Sequence, residues 1–159
     1  MTIWSTSERR LDWSGALRGS EFVDLAKKLC VKERPACLRS AVSRAYYGLF
    51  GEMIQFYRKN RVGFAPNPDN HLKLRASLRQ CKGEEFVDLA QQLGDLHAYR
   101  KEADYDLEKL GMENPLACKG IVEDADRALA KFRQLRDASV AGVKAYLDMR
   151  DKGLPMRTD

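Results

Sequence analysis

The stretch Pro35–Arg61, PACLRSAVSRAYYGLFGEMIQFYRKNR, constrains the fold more than any other part of the chain. Leu38, Val42, Ala45, Leu49, Met53 and Phe56 recur at steps of three and four, the period of one helical face. Tyr46, Phe50 and Tyr57 widen that stripe, so the helix is expected to touch more than one neighbour. The opposite face gathers Ser40, Arg44, Tyr47, Gly48, Gly51, Gln55 and Arg58. A glycine inside a helix costs about 1 kcal/mol relative to alanine. Two readings of this face stay open: a solvated polar surface with neutral glycines, or a surface that another backbone or a ligand approaches beside Arg44.

The remaining segments read as helices separated by breakers. Ser20–Glu21 opens one, with Phe22, Leu25, Ala26 and Leu29 expected on its inner face, and VKERP ends it because the residue before a proline disfavours the α region. Asn60 to Asn70, holding Gly63, Pro66 and Pro68, is a loop. Asp69 or Asn70 is expected to cap a helix with Leu72, Leu74 and Leu78 as its apolar residues and Lys73, Arg75 and Arg79 facing out; Cys81–Gly83 ends it. The next helix begins near Glu84 and turns Phe86, Leu89, Ala90, Leu93 and Leu96 inward. After a turn at Gly111–Pro115, one apolar stripe runs to about Arg150 through Ile121, Val122, Ala125, Leu129, Phe132, Leu135, Val143, Tyr146 and Leu147. Some 35 residues at 1.5 Å each reach about 50 Å, longer than the other helices need, so a break near Ser139–Gly142 or a protruding, dimer-forming end is expected. No window alternates like a strand. The fold class is therefore all-α, an up-and-down helical bundle of about five helices, with an N-terminal arm (1–18, where Trp4 and Trp13 are candidates to pack back), one helical domain (19–151) and a short tail (152–159).

With 44% hydrophobic and 32% charged residues, the chain falls among soluble globular proteins. No apolar run approaches the ~20 residues of a membrane span, and the start lacks a signal peptide's apolar core, so a cytoplasmic location and no membrane partner are expected. Cys30, Cys37, Cys81 and Cys118 form no C-x-x-C pair, and with only His71 and His97 beside them they read as reduced packing residues; no metal and no cofactor are expected. The net charge of +5 is unevenly spread: residues 34–82 hold ten Lys/Arg against Glu52 and Asp69, whereas residues 83–159 hold twelve against sixteen acids. Such a basic region suits a polyanion such as RNA, and equally an acidic protein partner. There is no Walker loop, G-x-G-x-x-G or G-x-S-x-G.

On the fourth helix, the phase that buries Phe86, Leu89 and Leu93 continues through His97, Arg100 and Asp104. Charges carried onto an inward face need partners, and Arg100 and Asp104, four residues apart, can pair. The pair can equally well only seal the bundle end. Glu102, Asp106 and Glu108 read as a solvated acidic helix end.

SRAYYGLF at Ser43–Phe50, followed by YRKEADYD at Tyr99–Asp106, resembles the HEPN superfamily of small helical bundles, in particular the bacterial group with S-R-A-Y-Y and R-x-x-A-D-Y motifs. The resemblance spans roughly Gly19 to Asp151. It implies a homodimer and a cleft binding RNA or a nucleotide, lined by Arg44, Tyr47, His97, Arg100, Asp104 and Tyr105, with Tyr46 turned to the core. Catalytic members are similar in an Arg-x(4–6)-His motif that cuts RNA without metal. Arg100 matches that arginine, which would hold a scissile phosphate. Tyr105 stands where the histidine slot begins, and no histidine follows His97. A phenol with an ordinary pKa of about 10 is a poor general base near neutrality. Three functions follow in this order: a non-catalytic or weakly active RNA- or nucleotide-binding module; a protein-interaction partner of a nucleotidyltransferase in a toxin–antitoxin or defence system; and a metal-independent endoribonuclease, as in toxin and phage-defence members, using Arg100 and Tyr105. His97 precedes the motif and reads more readily as a packed structural histidine.

Overall fold

The computed structural model describes residues 17–153, and these form five α-helices and one 3-10 turn with no strand among them. The helices are α1 (Gly19–Cys30), α2 (Pro35–Lys59), α3 (Asn70–Arg79), α4 (Glu84–Tyr105) and α5 (Pro115–Asp151), with the 3-10 turn at Leu110–Glu113. The all-α bundle expected from the apolar periods is therefore observed. Trp4, Trp13 and most of the expected arm and tail lie outside the described residues.

Helix α2 is the centre, packed against α1, α4 and α5. Leu38, Val42, Ala45, Leu49 and Met53 are fully buried along it, joined by Tyr46 and Tyr57. Its start follows from Pro35 at the first helical position, where a missing N–H costs nothing, after an extended Arg34. Its end is marked by Asn60, whose side-chain amide donates to Phe56 O at 2.8 Å. The loop that follows is pinned to the core by Val62 and Phe64, both buried.

Three local expectations are corrected. In α1 the buried line is Gly19, Val23, Ala26 and Cys30, whereas Leu25 is 42% exposed and Phe22 and Leu29 sit at the flanks. The rotation is set by close contact with α2: a Cβ on Gly48 would come within 2.7 Å of both Gly19 O and the Val23 side chain. In α3, Leu72 is exposed and Arg75 turns inward, its guanidinium lying so close to Gly94 that a Cβ there would meet it at 2.6 Å. Neither Asp69 nor Asn70 caps that helix through its side chain; Asn70 reaches back to Ala65 O at 3.0 Å.

The third correction concerns α5, which is continuous over 37 residues, about 55 Å. Asn114 starts it by accepting the Leu116 and Ala117 N–H groups. Ser139 and Gly142, the expected break, are instead points of close approach. Ser139 Oγ donates to Arg136 O and lies 2.7 Å from the Tyr57 hydroxyl, while a Cβ on Gly142 would come within 2.8 Å of Cys81 Sγ. Ser139 spends its single hydroxyl hydrogen on Arg136 O, so the buried Tyr57 phenol, its pKa raised by burial, is the donor to Ser139. Val143 and Tyr146 beyond this point remain buried, so this stretch of the helix is packed and does not protrude. All four cysteines are free; Cys30, Cys81 and Cys118 are buried packing residues and Cys37 is half-buried.

Candidate functional site

The apolar stripe of α4 runs out at Ala103, and its last turn lies beside the N-terminal half of α2, at Arg39 and Ser43. This crossing brings Ser43 and Tyr47 of α2 to Asp104 and Arg100 of α4, with Arg44 joined through Tyr47 and Tyr105 through Arg100. The Arg100 guanidinium carbon stands 5.2 Å from the Tyr47 ring centre and 5.0 Å from that of Tyr105. Its Nη2 donates to the Tyr105 hydroxyl at 3.0 Å. Arg44 sits 5.8 Å from the other neighbour in the row, Tyr47, and 5.4 Å from Phe22 of α1. Phe22, Arg44, Tyr47, Arg100 and Tyr105 thus form an alternating row of aromatic rings and guanidinium groups across three helices.

The expected Arg100–Asp104 pair is present: Nε is 2.9 Å from Asp104 Oδ2. The Nε hydrogen is not aimed at that oxygen, however, and Nε has no hydrogen-bond partner. Proximity of charge, not an aligned hydrogen bond, holds the pair. Asp104 Oδ2 is oriented by Ser43 Oγ, which donates to it at 3.1 Å. Burial works against the charge on Arg100, but the neighbouring phenols of Tyr47 and Tyr105 and the Asp104 carboxylate outweigh it, and its pKa lies above the ordinary value. Arg100 is therefore a permanent cation, only 16% exposed, with an exposed tyrosine (71%) at its outer side.

Arg44 does not pair with Asp104. Among the described residues it has no carboxylate partner, because Asp104 is already held by Arg100 and Ser43, leaving Arg44 to stack on aromatic faces. Tyr46 is buried, as expected. His97 is not part of the row. It packs in tilted geometry against His71 of α3, at 4.2 Å between ring centres, and against Tyr46 at 5.2 Å. Burial, then His71 and the cations Lys101, Arg100 and Arg75, lowers its pKa to about 4, so it is a neutral packing residue at neutral pH. No group of three or more metal-ligating side chains occurs among the described residues. Of the acidic helix end, Glu102 bonds Lys109 at 2.7 Å.

Two further side chains contribute. Ser43 opens the S-R-A-Y-Y motif, and that position was the available signal. Arg39, one turn earlier, is 7% exposed and closes the C-terminal end of α4. It donates to the carbonyls of Glu102, Ala103, Asp106, Leu107 and Lys109 at 2.8–3.2 Å and to the Glu113 carboxylate at 3.0 Å. These carbonyls include helix-end acceptors with no partner inside the helix. Arg39 thereby fixes the turn that carries Asp104 and Tyr105.

The face of α2 bearing Arg44 also borders an open groove of about 620 Å³, whose lining includes Arg44, Tyr47, Gly51, Gln55 and Arg58 but not Arg100 or Tyr105. The single expected cleft is thus two surfaces meeting at Tyr47. The two glycines separate in the same way. Gly48 admits the α1 backbone, whereas a Cβ on Gly51 would meet nothing within 4 Å. In comparisons with protein-family models, curated proteins and solved structures, nothing matches this chain.

Proposed function

We propose that this chain is a HEPN-like helical module that binds RNA or a nucleotide, without efficient cleavage, at the row formed by Arg44, Tyr47, Arg100 and Tyr105. The observation that carries the reading is the alternation of rings and guanidinium groups with uncommitted N–H edges. Aromatic faces stack on any base, at about 1–3 kcal/mol each, and arginine edges take phosphate oxygens. Arg100 donates to the Tyr105 oxygen, which leaves the phenolic proton free for a phosphate. The missing histidine after Arg100 weighs against ribonuclease activity, because the nearby His97 is packed between Tyr46 and His71 and stays outside the row. A symmetric dimer belongs to the same reading.

A second reading, the protein-interaction partner of a nucleotidyltransferase, is favoured by a different surface. Val31 and Leu116 are 80% and 81% exposed beside a groove of about 390 Å³ between α1 and α5.

The test is incubation of the purified protein with labelled mixed RNA in EDTA, beside Arg100→Ala and Arg100→Lys variants. The expected result is retention of intact RNA by the unmutated protein, and loss of about tenfold in affinity in both variants, since lysine restores charge but not the planar stack. Cleavage that survives EDTA and vanishes in both variants would establish the ribonuclease instead. No retention by any of the three would end the RNA reading and leave the partner reading.

A further inference from the structure

Arg44, Gly51 and Arg58 follow one another at seven-residue intervals along α2, with Tyr47 and Gln55 between them. At 100° per residue all five share one face, and the two arginines are separated by about 21 Å along the axis. This face is the floor of the groove of about 620 Å³, a volume within the range of ligand sites. No carboxylate is among the lining residues. Arg58 spends its Nε on Phe64 O, leaving its two outer nitrogens without a partner among the described residues. Asn70, which also lines the groove and is 5% exposed, gives its Nδ2 to Ala65 O and leaves Oδ1 without a partner. Over Gly51 the space is empty.

We infer that this groove is a track for single-stranded RNA, continuing the strand from the Arg100–Tyr105 end past Tyr47 to Arg58. The inference rests on the RNA reading above and deepens it from a point site to an extended one. Arg44 and Arg58 neutralise phosphates at the two ends. The gap over Gly51, flanked by Tyr47, receives a base. A span of this length exceeds a mononucleotide, so the ligand class is an oligonucleotide strand, and the two cations with no acid among the lining residues select a polyanion.

The experiment measures binding of a dinucleotide and of a decauridylate to the full chain and to Gly51→Leu. Leucine at an exposed helix position is a better helix former than glycine, so the variant is expected to fold at least as well. Blocking one stacking position should weaken the decauridylate about tenfold and leave the dinucleotide, held at the Arg100 end, within about twofold. Arg58→Gln should lower the salt dependence of decauridylate binding by about one phosphate, a change of about 0.7 in the slope of log K against log salt. Tight decauridylate binding that is unchanged in Gly51→Leu and Arg58→Gln would overturn the track while sparing the RNA reading. Failure of the unmutated protein to bind either RNA overturns both. Preferential binding of a polyglutamate peptide, sensitive to Gly51→Leu, would overturn the RNA track and assign the groove to acidic protein.

Discussion

Two arginines of the same region behave in opposite ways. Arg39 directs its guanidinium at five main-chain carbonyls and one carboxylate, and is buried. Arg100, held where α4 crosses α2, has one hydrogen bond, an unaligned ion pair and two aromatic faces. Both are cations held among helices, yet one is saturated and the other is not. Saturation marks a structural clamp, because adding a ligand would break bonds already made. Unsaturation beside an exposed tyrosine marks a surface on which a ligand gains contacts. Arg44, stacked between Phe22 and Tyr47 with no carboxylate partner among the described residues, belongs with Arg100.

The same substitution at both positions gives the largest expected contrast. Arg39→Met leaves several carbonyls and Glu113 without their donor in a buried turn, at a cost of about 3–5 kcal/mol. Arg100→Met removes a partly exposed pair and two stacks, at a cost of about 1 kcal/mol. Urea unfolding of both variants reads the difference. Equal losses would collapse the distinction between clamp and site. Hydrogen exchange should also show residues 103–109 opening in Arg39→Met before the rest of α4.

A second contrast, smaller in size, is between the glycines of α2. Gly48→Ala forces a methyl against Gly19 O and Val23 at 2.7 Å, and because one of these is backbone, the helices must part. A destabilisation of about 2 kcal/mol is expected by thermal or urea unfolding, even after the gain in helix propensity. A neutral or stabilising result would mean that the α1–α2 crossing yields easily and that the rotation of α1 has another cause.

His97 sharpens the comparison from the side of a residue close to Arg100 in sequence but packed away from the row. Its pKa falls from 6.5 to about 4, so between those values the unfolded chain binds a proton that the folded chain refuses. Stability from this residue is therefore complete above about pH 6.5 and is lost as the pH falls toward 4. The groups facing it are Tyr46 from α2, His71 and Arg75 from α3, and Arg100 and Lys101 on its own helix. A shift of this size corresponds to about 3 kcal/mol, which the residue's partial exposure reduces to about 1. His97→Phe should remove that increment from the acid limb of the stability curve. An unchanged acid limb would show that His97 is more accessible to protons than its stacking implies.

Local patterns carried the fold and part of the site. The stripe on α4 passed from leucines into Arg100 and Asp104 without changing phase, so their meeting was legible, being four residues apart. Tyr46 and Tyr47 could be assigned to opposite faces by the same period. Arg39 could not be read this way. Its partners are 63 to 74 residues away, and most are carbonyls, which carry no side-chain signature. Helix α1 misled because Phe22, Val23, Leu25, Ala26, Leu29 and Cys30 offer apolar residues in several phases, and only contact with Gly48 selects one. Ser139 and Gly142 resembled a helix break because small residues serve both purposes, and the neighbours that need the space, Tyr57 and Cys81, lie far off in sequence.

The smallest expected effect returns to Gly51. A methyl placed there meets nothing within 4 Å, and the residue lies within α2. Gly51→Ala should therefore stabilise the fold by about 0.5–1 kcal/mol, through helix propensity and a less free unfolded chain. The sign is opposite to that at Gly48, three residues earlier, and urea unfolding of the two variants side by side distinguishes filled from empty space on one helix. A glycine whose replacement stabilises is a weak point that folding alone does not require. If Gly51→Ala stabilises while weakening RNA retention, the empty space over that position serves a ligand. If it stabilises and retention is unchanged, a single methyl leaves the groove open, and the larger leucine decides. If it destabilises, the groove is not open in solution, and the contrast between filled space at Gly48 and empty space at Gly51 fails.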